Sequence, residues 1–197
     1  MSKKINNLMV VLAGVSLGGD ERSQLLPRLC RSFLDTVESS QIEVDFLDLD
    51  NDNEFHPTEN SPAQDTKAVE YQLRFKKADM IVIFHSTPWQ SLPAVLKGFI
   101  DKVFSPGFAY RIYRKIPRSL INDKKALVVA VSDVPAWKMR FMYGNIIYNF
   151  WQKAVFGFCD IACEIILLDN LRVVRDEAVI KWQDQIVTKA QKLIDSR

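Results

Sequence analysis

Gly14-Val-Ser-Leu-Gly-Gly-Asp-Glu-Arg-Ser23 joins an apolar run to an amphipathic segment. Small residues ahead of a helix N-terminus can cradle phosphate, because unpaired backbone amides point out of such a turn. Ser16, Ser23 and Gln24 could donate hydrogen bonds there, and Arg22 could supply charge. The same spacing suits a plain glycine turn in which Ser23 or a neighbour only caps the helix. Ser86-Thr-Pro-Trp-Gln90 follows a second apolar run and sets polar groups around one indole. A flat apolar ring with polar edges would fit it, although a core tryptophan is the commoner reading of Trp89. Ser132-Asp-Val134 follows a third run and offers a hydroxyl and backbone amides, or simply a turn held by the Asp133 side chain. Tyr110 and Tyr143 are the candidate acid–base groups. Arg111, Arg114, Lys115 and Arg118 make one loop basic. They could attract the phosphates of a nucleotide, or form an ordinary solvated loop, which is more common. His56 and His85 are isolated, and Cys30, Cys159 and Cys163 contain no CxxC pair, so no metal site is expected.

These residues must be held by regular elements. Leu8–Ala13, Met80–Phe84 and Ala126–Val131 are continuous apolar runs of strand length, as in a parallel sheet buried on both faces. Ile42–Leu49 and Ile161–Leu168 read as further strands. Helical spacing marks 23–37, 67–77, 93–104, an aromatic-rich 139–156 and 176–194. Residues 48–64 read as a polar excursion, and 105–124 as a long polar and aromatic connection. Five strands alternating with five helices predict an α/β doubly wound sandwich with a five-stranded parallel sheet. Ligands in such sheets lie beyond the carboxyl ends of the strands, where all the loops named above fall.

The 197 residues suit a single domain spanning 1–197. Hydrophobic residues make up 48% and charged residues 25%, which excludes a disordered chain. A formal charge of +2 gives no overall field for a polyanion, so nucleic acid is not an expected partner. No stretch approaches the roughly 20 apolar residues of a membrane span, so no membrane insertion is expected. The run Leu8–Val15 is short for a secretory core and has no small-residue cleavage site followed by polar sequence, and three cysteines are too few for a disulfide framework. Together these predict a reduced, cytoplasmic protein.

The most specific segment is Pro88-Trp-Gln-Ser-Leu-Pro-Ala-Val-Leu-Lys-Gly-Phe-Ile-Asp-Lys-Val-Phe104, followed by Ser-Pro-Gly-Phe-Ala-Tyr110. It resembles the signature of the flavodoxin-like NAD(P)H:quinone oxidoreductase family: an aromatic-rich loop, Ser-x-Pro-Ala-x-Leu-Lys-Gly-Trp-Ile-Asp-Arg-Val-Phe, then Gly-Phe-Ala-Tyr. Phe55-His-Pro57, Lys124-Lys-Ala-Leu-Val-Val129, Ser132-Asp-Val-Pro-Ala-Trp137 and Phe158-Cys-Asp-Ile161 extend the resemblance over most of the chain. It implies a flavodoxin-like fold and a homodimer that carries hydride from NAD(P)H to quinone-like acceptors through FMN, with FAD as the other flavin used in the family. It also implies cofactor contacts from Ser16, Ser23, Gln24, Ser86, Thr87, Pro88, Trp89, Gln90, Ser132, Asp133 and Val134, with Tyr110 reaching the acceptor pocket. Two alternative functions stand beside this one. One is a regulatory subunit of an ion-efflux system. The other is a member without flavin that binds a small ligand or partner, suggested by the residues at Gly14, Ser86, Asp133 and Val134.

Overall fold

A computed structural model describes residues 4–15, 24–56, 65–171 and 175–195. Five parallel strands form the main sheet: β1 (Asn7–Ala13), β2 (Glu43–Asp48), β3 (Met80–Ser86), β6 (Lys125–Val131) and β7 (Ala162–Leu168). Their order is β2-β1-β3-β6-β7. From β1 the chain moves outward to β2, then returns past β1 to β3, so the order reverses between β1 and β3. That reversal opens a crevice at the carboxyl ends of these two strands.

Strand periodicity explains why the central runs are apolar throughout. Met9, Val11 and Ala13 of β1 face one core, and Leu8, Val10 and Leu12 face the other. The first core is closed by α2 (Thr66–Lys77), α3 (Ala94–Val103) and the aromatic segment around Trp151 and Phe156. The second is closed by α1 (Leu25–Glu38) and α6 (Asp176–Asp195). Pro27 stands in the first turn of α1, where its missing N–H would have no intrahelical partner anyway.

α2 begins on an N-cap, Asp65, whose carboxylate accepts hydrogen bonds from the Lys67 and Ala68 amides at 3.0 and 3.1 Å. The Lys102 ammonium, on α3, donates to the same carboxylate and to the His56 carbonyl. Both side chains are buried. Burial alone would raise the Asp65 pKa, but the bonds from Lys102 and the two amides outweigh it and hold the carboxyl below its usual range.

Two segments differ from the sequence expectation. Residues 105–124 contain an antiparallel hairpin, β4 (Tyr110–Tyr113) and β5 (Ile116–Ser119), separate from the main sheet. Its two-residue turn is Arg114-Lys115, with φ of +48° and +65°. Such a turn needs left-handed backbone at both positions and is usually marked by Asn-Gly, so the sequence lacks the usual signal. Holding two side-chain-bearing residues there costs about 1–3 kcal/mol each.

The expected single helix over 139–156 is broken. α4 (Ala136–Phe141) ends before a turn through Gly144 (φ +65°) and Asn145 (φ +56°), and α5 (Ile146–Asn149) follows. Phe150–Val155 then forms a π-helical turn that buries Trp151 and Val155.

Candidate functional site

The carboxyl ends of β1 and β3 are fastened to each other. Gly14 adopts φ +82°, and its carbonyl accepts a hydrogen bond from the Ser86 hydroxyl at 2.8 Å. A Cβ on Gly14 would lie 2.3 Å from Ser86 Oγ and 2.5 Å from Pro93 Cγ, so only glycine permits this approach. The next amide, Val15, donates to the Asp50 carboxylate at 2.8 Å. Asp50 thereby ties the start of the β1–α1 loop to the end of β2.

The loop after β3 is built the same way. The Thr87 amide and hydroxyl both donate to the Val131 carbonyl, at 3.0 and 3.1 Å. The Ser132 amide donates to Leu168, and the Ser132 hydroxyl accepts from the Val134 amide at 3.1 Å. The Ser132 hydroxyl thus helps hold the turn at 132–134. Asp133 is exposed. The hydroxyls of Ser86, Thr87 and Ser132 bind backbone, so they position loops.

Trp89 and Gln90 both have left-handed backbone, with φ of +51° and +57°. This conformation is rare for an aromatic residue and costs about 1–3 kcal/mol where it is held. Trp89 is also 95% exposed, so the turn serves no core. Instead the indole borders a cleft of about 440 Å³, lined by Gly14, Asp50, Pro88, Trp89, Leu92, Pro93, Ala94 and Val95. The cleft lies at the β1/β3 reversal, and its size is ordinary for a small-molecule site.

Of the sequence-predicted residues, Pro88 and Trp89 line the cleft and Gln90 shares their turn. Ser86 joins Gly14, and Thr87 joins Val131, the strand end that Ser132, Asp133 and Val134 follow. Gln24 is the exposed N-cap residue of α1, with no side-chain cap bond. Ser16 and Ser23 lie outside the described residues, as does Arg22. Tyr110 stands on the hairpin with its ring edge-on to Phe158 at 4.9 Å, and Tyr143 lies in the turn between α4 and α5. Neither lines the cleft in one chain. Sequence reasoning missed Asp50, Leu92 and Val95; Pro93 was read only as a helix start. Asp50 gave no signal among neighbouring acids, because its role comes from the sheet order.

His85 ends β3 but is fully buried. Its Nε2 accepts from the Trp151 indole N–H at 3.0 Å, and its Nδ1 lies 2.7 Å from the Ser86 carbonyl. An indole nitrogen only donates, so the ring is neutral with its proton on Nδ1. Burial pushes its pKa down to about 4, although the Ser86 carbonyl favours the charged form. It is a structural histidine that braces the start of the Trp89 loop.

Between the ordinary histidine pKa and the folded value, the unfolded chain binds a proton that the folded chain does not. Stability is therefore expected to fall as pH drops from about 6.5 to about 4, by up to about 1.4 kcal/mol per pH unit. Chemical unfolding followed across that range checks this. A flat profile, or the same slope in His85→Phe, would exclude His85 as its source.

Among the described residues no group of three or more His, Cys, Asp or Glu side chains could hold a metal ion. An aromatic wall bordering a cleft at a sheet reversal fits the flat ring of a flavin. The other end of such a molecule, its phosphate, would fall to the β1–α1 loop, where Gln24 is the candidate phosphate donor among the described residues.

A family model described as "Flavodoxin-like fold" matches residues 18–189. The chain is 29% identical over 143 residues to FMN-dependent NADH:quinone oxidoreductase 2 of Clostridium perfringens, covering 70% of this chain and 68% of that protein. An FMN-dependent NADH-azoreductase from Bacillus anthracis, solved in complex with FMN, superposes with a TM-score of 0.77 at 18% identity, over 96% of this chain and 99% of that one. The NAD(P)H:quinone oxidoreductase from Methanothermobacter marburgensis gives 0.76 at 14% identity, over 97% and 100%. At these identities the two structures share the fold.

Proposed function

The chain belongs to the flavodoxin-like fold family, and from that premise we propose that it is an FMN-dependent NAD(P)H oxidoreductase acting on quinone-like acceptors. The observation that carries this reading is Trp89, an exposed indole held in a strained left-handed turn beside the β1/β3 cleft. The names of the relatives supply the acceptor class. FMN, when bound, supplies the hydride relay between nicotinamide and acceptor.

Each residue then has a part. Trp89 covers the apolar ring, and Pro88 and Gln90 place backbone and amide groups at its edge. Ser86, Thr87 and Ser132 hold the two loops in place, with Asp133 and Val134 in the second. Ser16, Ser23 and Gln24 are assigned to the phosphate end. Tyr110 and Tyr143 are assigned to proton transfer at the acceptor, which they reach from the partner in a homodimer. The exposed Phe141, Met142 and Ile146 around Tyr143 supply an apolar face for that dimer. The compartment assigned is the cytoplasm. The Cys30, Cys159 and Cys163 thiols are free, and burial pushes all three up, to about 12, 11 and 12, which keeps them protonated near neutral pH.

The test is the visible spectrum of the purified protein, before and after FMN is added and the excess removed. A retained flavin band that bleaches with NADH or NADPH and returns with a quinone is the expected result. A protein that stays colourless would leave the fold and remove the activity. Trp89→Ala is expected to weaken FMN binding about 10-fold, from the loss of an aromatic wall. Lys97→Ala, which removes an exposed ion pair with Asp101 on α3, should leave it unchanged. Equal retention by both variants would take Trp89 out of the site.

A further inference from the structure

Among the described residues that line the β1/β3 cleft, Asp50 alone is ionisable. It follows β2 and is half-buried. Its carboxylate accepts from the Val15 amide at 2.8 Å, and its own amide donates to the Asp48 carboxylate at 3.2 Å, so both its backbone and its side chain are fixed. Among the described residues no lysine, arginine or histidine forms an ion pair with it. The bond to Val15 asks only for an accepting oxygen, which the side-chain carbonyl of asparagine would supply. A carboxylate makes that bond stronger, but it also leaves a negative charge in an otherwise apolar lining.

Two lengths decide whether an occupant feels that charge. A compact cleft of about 440 Å³ is roughly 9 Å across, and charges at about 0.1 M salt still interact over about 10 Å. A ring held against Trp89 therefore lies within the field of Asp50. The charge of a flavin ring changes during turnover. Oxidised, it is neutral. A hydride from NAD(P)H delivers two electrons and one proton and leaves the nicotinamide oxidised. The reduced ring then carries one negative charge, until a second proton arrives from water. Asp133, the acid of the neighbouring loop, is exposed and does not line the cleft.

We propose that Asp50 lowers the reduction potential of the bound flavin, by keeping a fixed negative charge beside the ring in the form that has accepted hydride. The neutral oxidised ring is little affected by that charge, whereas the anionic reduced ring is repelled. The chain thus favours oxidised over reduced FMN, and the reduced cofactor becomes the stronger donor towards an acceptor. Asp50 acts in two separable ways. Through Val15 it positions the β1–α1 loop, which serves both redox forms alike. Through its charge it distinguishes between them. This inference rests on the flavin reading of the cleft.

The experiment is an anaerobic redox titration of the FMN-loaded full chain against a reference dye, with FMN dissociation constants measured in the oxidised and the reduced form. Asp50→Asn keeps an acceptor for the Val15 amide and removes the charge. It is expected to tighten reduced FMN about 10-fold relative to oxidised FMN. For a two-electron couple that is a midpoint potential about 30 mV higher. Asp50→Ala removes the charge and the anchor together. It should weaken both forms and still raise the potential by the same amount. Asp160→Asn removes an equal charge from an exposed residue just ahead of β7, at the opposite end of the sheet, and should leave the potential at the wild-type value. An unmoved potential in Asp50→Asn overturns the inference while the flavin reading stands. So does an equal rise in Asp160→Asn, or a change of both dissociation constants by one factor, which would leave Asp50 as a loop anchor only. A wild type that binds FMN in neither form overturns the flavin reading and this inference with it.

Discussion

Gly14→Ala is expected to cost about 3–5 kcal/mol of stability and to lower FMN affinity at least about 100-fold. The first contribution is backbone, since alanine at φ +82° is strained whatever the space around it. The second is steric. The new methyl would lie 2.3 Å from Ser86 Oγ and 2.5 Å from Pro93 Cγ. The serine can rotate, but it then leaves the Gly14 carbonyl without its hydrogen bond. The proline ring cannot, so Leu92–Val95, one wall of the cleft, must move.

Gly107→Ala is the control. Gly107 has φ +90°, and nothing lies within 4 Å of the added Cβ. It should cost only the backbone strain, about 1–2 kcal/mol, and leave FMN binding alone. Denaturant midpoints and a flavin-fluorescence titration read both effects. Equal losses of affinity in the two variants would mean that the β1–β3 contact does not shape the site.

Lys102→Met is expected to destabilise the fold by about 3–5 kcal/mol, because it leaves the buried Asp65 carboxylate without its ammonium partner. Asp65 would keep only the Lys67 and Ala68 amides. The His56 carbonyl would also lose a donor. If the uncompensated charge is the cause, Asp65→Ser in the Lys102→Met background should recover part of the loss, since serine still caps α2. Additive losses in the double variant would show that packing of the Lys102 stem, not charge, is what matters.

What could be read from the sequence follows from how local each cause is. The three apolar runs of β1, β3 and β6 are buried on both faces, so composition alone marks them as central strands. The motif around Pro93–Phe104 marks α3 and the loop before it. The left-handed turns at Trp89-Gln90 and Arg114-Lys115 were not legible, because neither contains the glycine or asparagine that normally signals one; Gly144-Asn145 carries both, but inside a run whose apolar spacing read as a single helix. Asp50, paired with Val15 across the sheet, and Lys102, paired with Asp65 between helices, depend on contacts distant in sequence. Ser86, Thr87 and Ser132 stand at the strand ends, in the loops around the cleft. Their hydrogen bonds to backbone could be seen only once the loops were assembled.

The strand order also sets when the site comes into being as the chain is made. Leu8 pairs with Val44 on one side and with Met80 on the other. As the nascent chain leaves the ribosome, β1 and β2 emerge first, and the second edge of β1 stays open until β3 follows. That edge is flanked by apolar side chains, so in this interval the unfinished chain is prone to pair wrongly or to need a chaperone. Gly14 meets Ser86 and Pro93 only at its end. Cofactor capture therefore belongs to the later part of synthesis, and the step that closes the cleft is also the one that covers the open edge of β1.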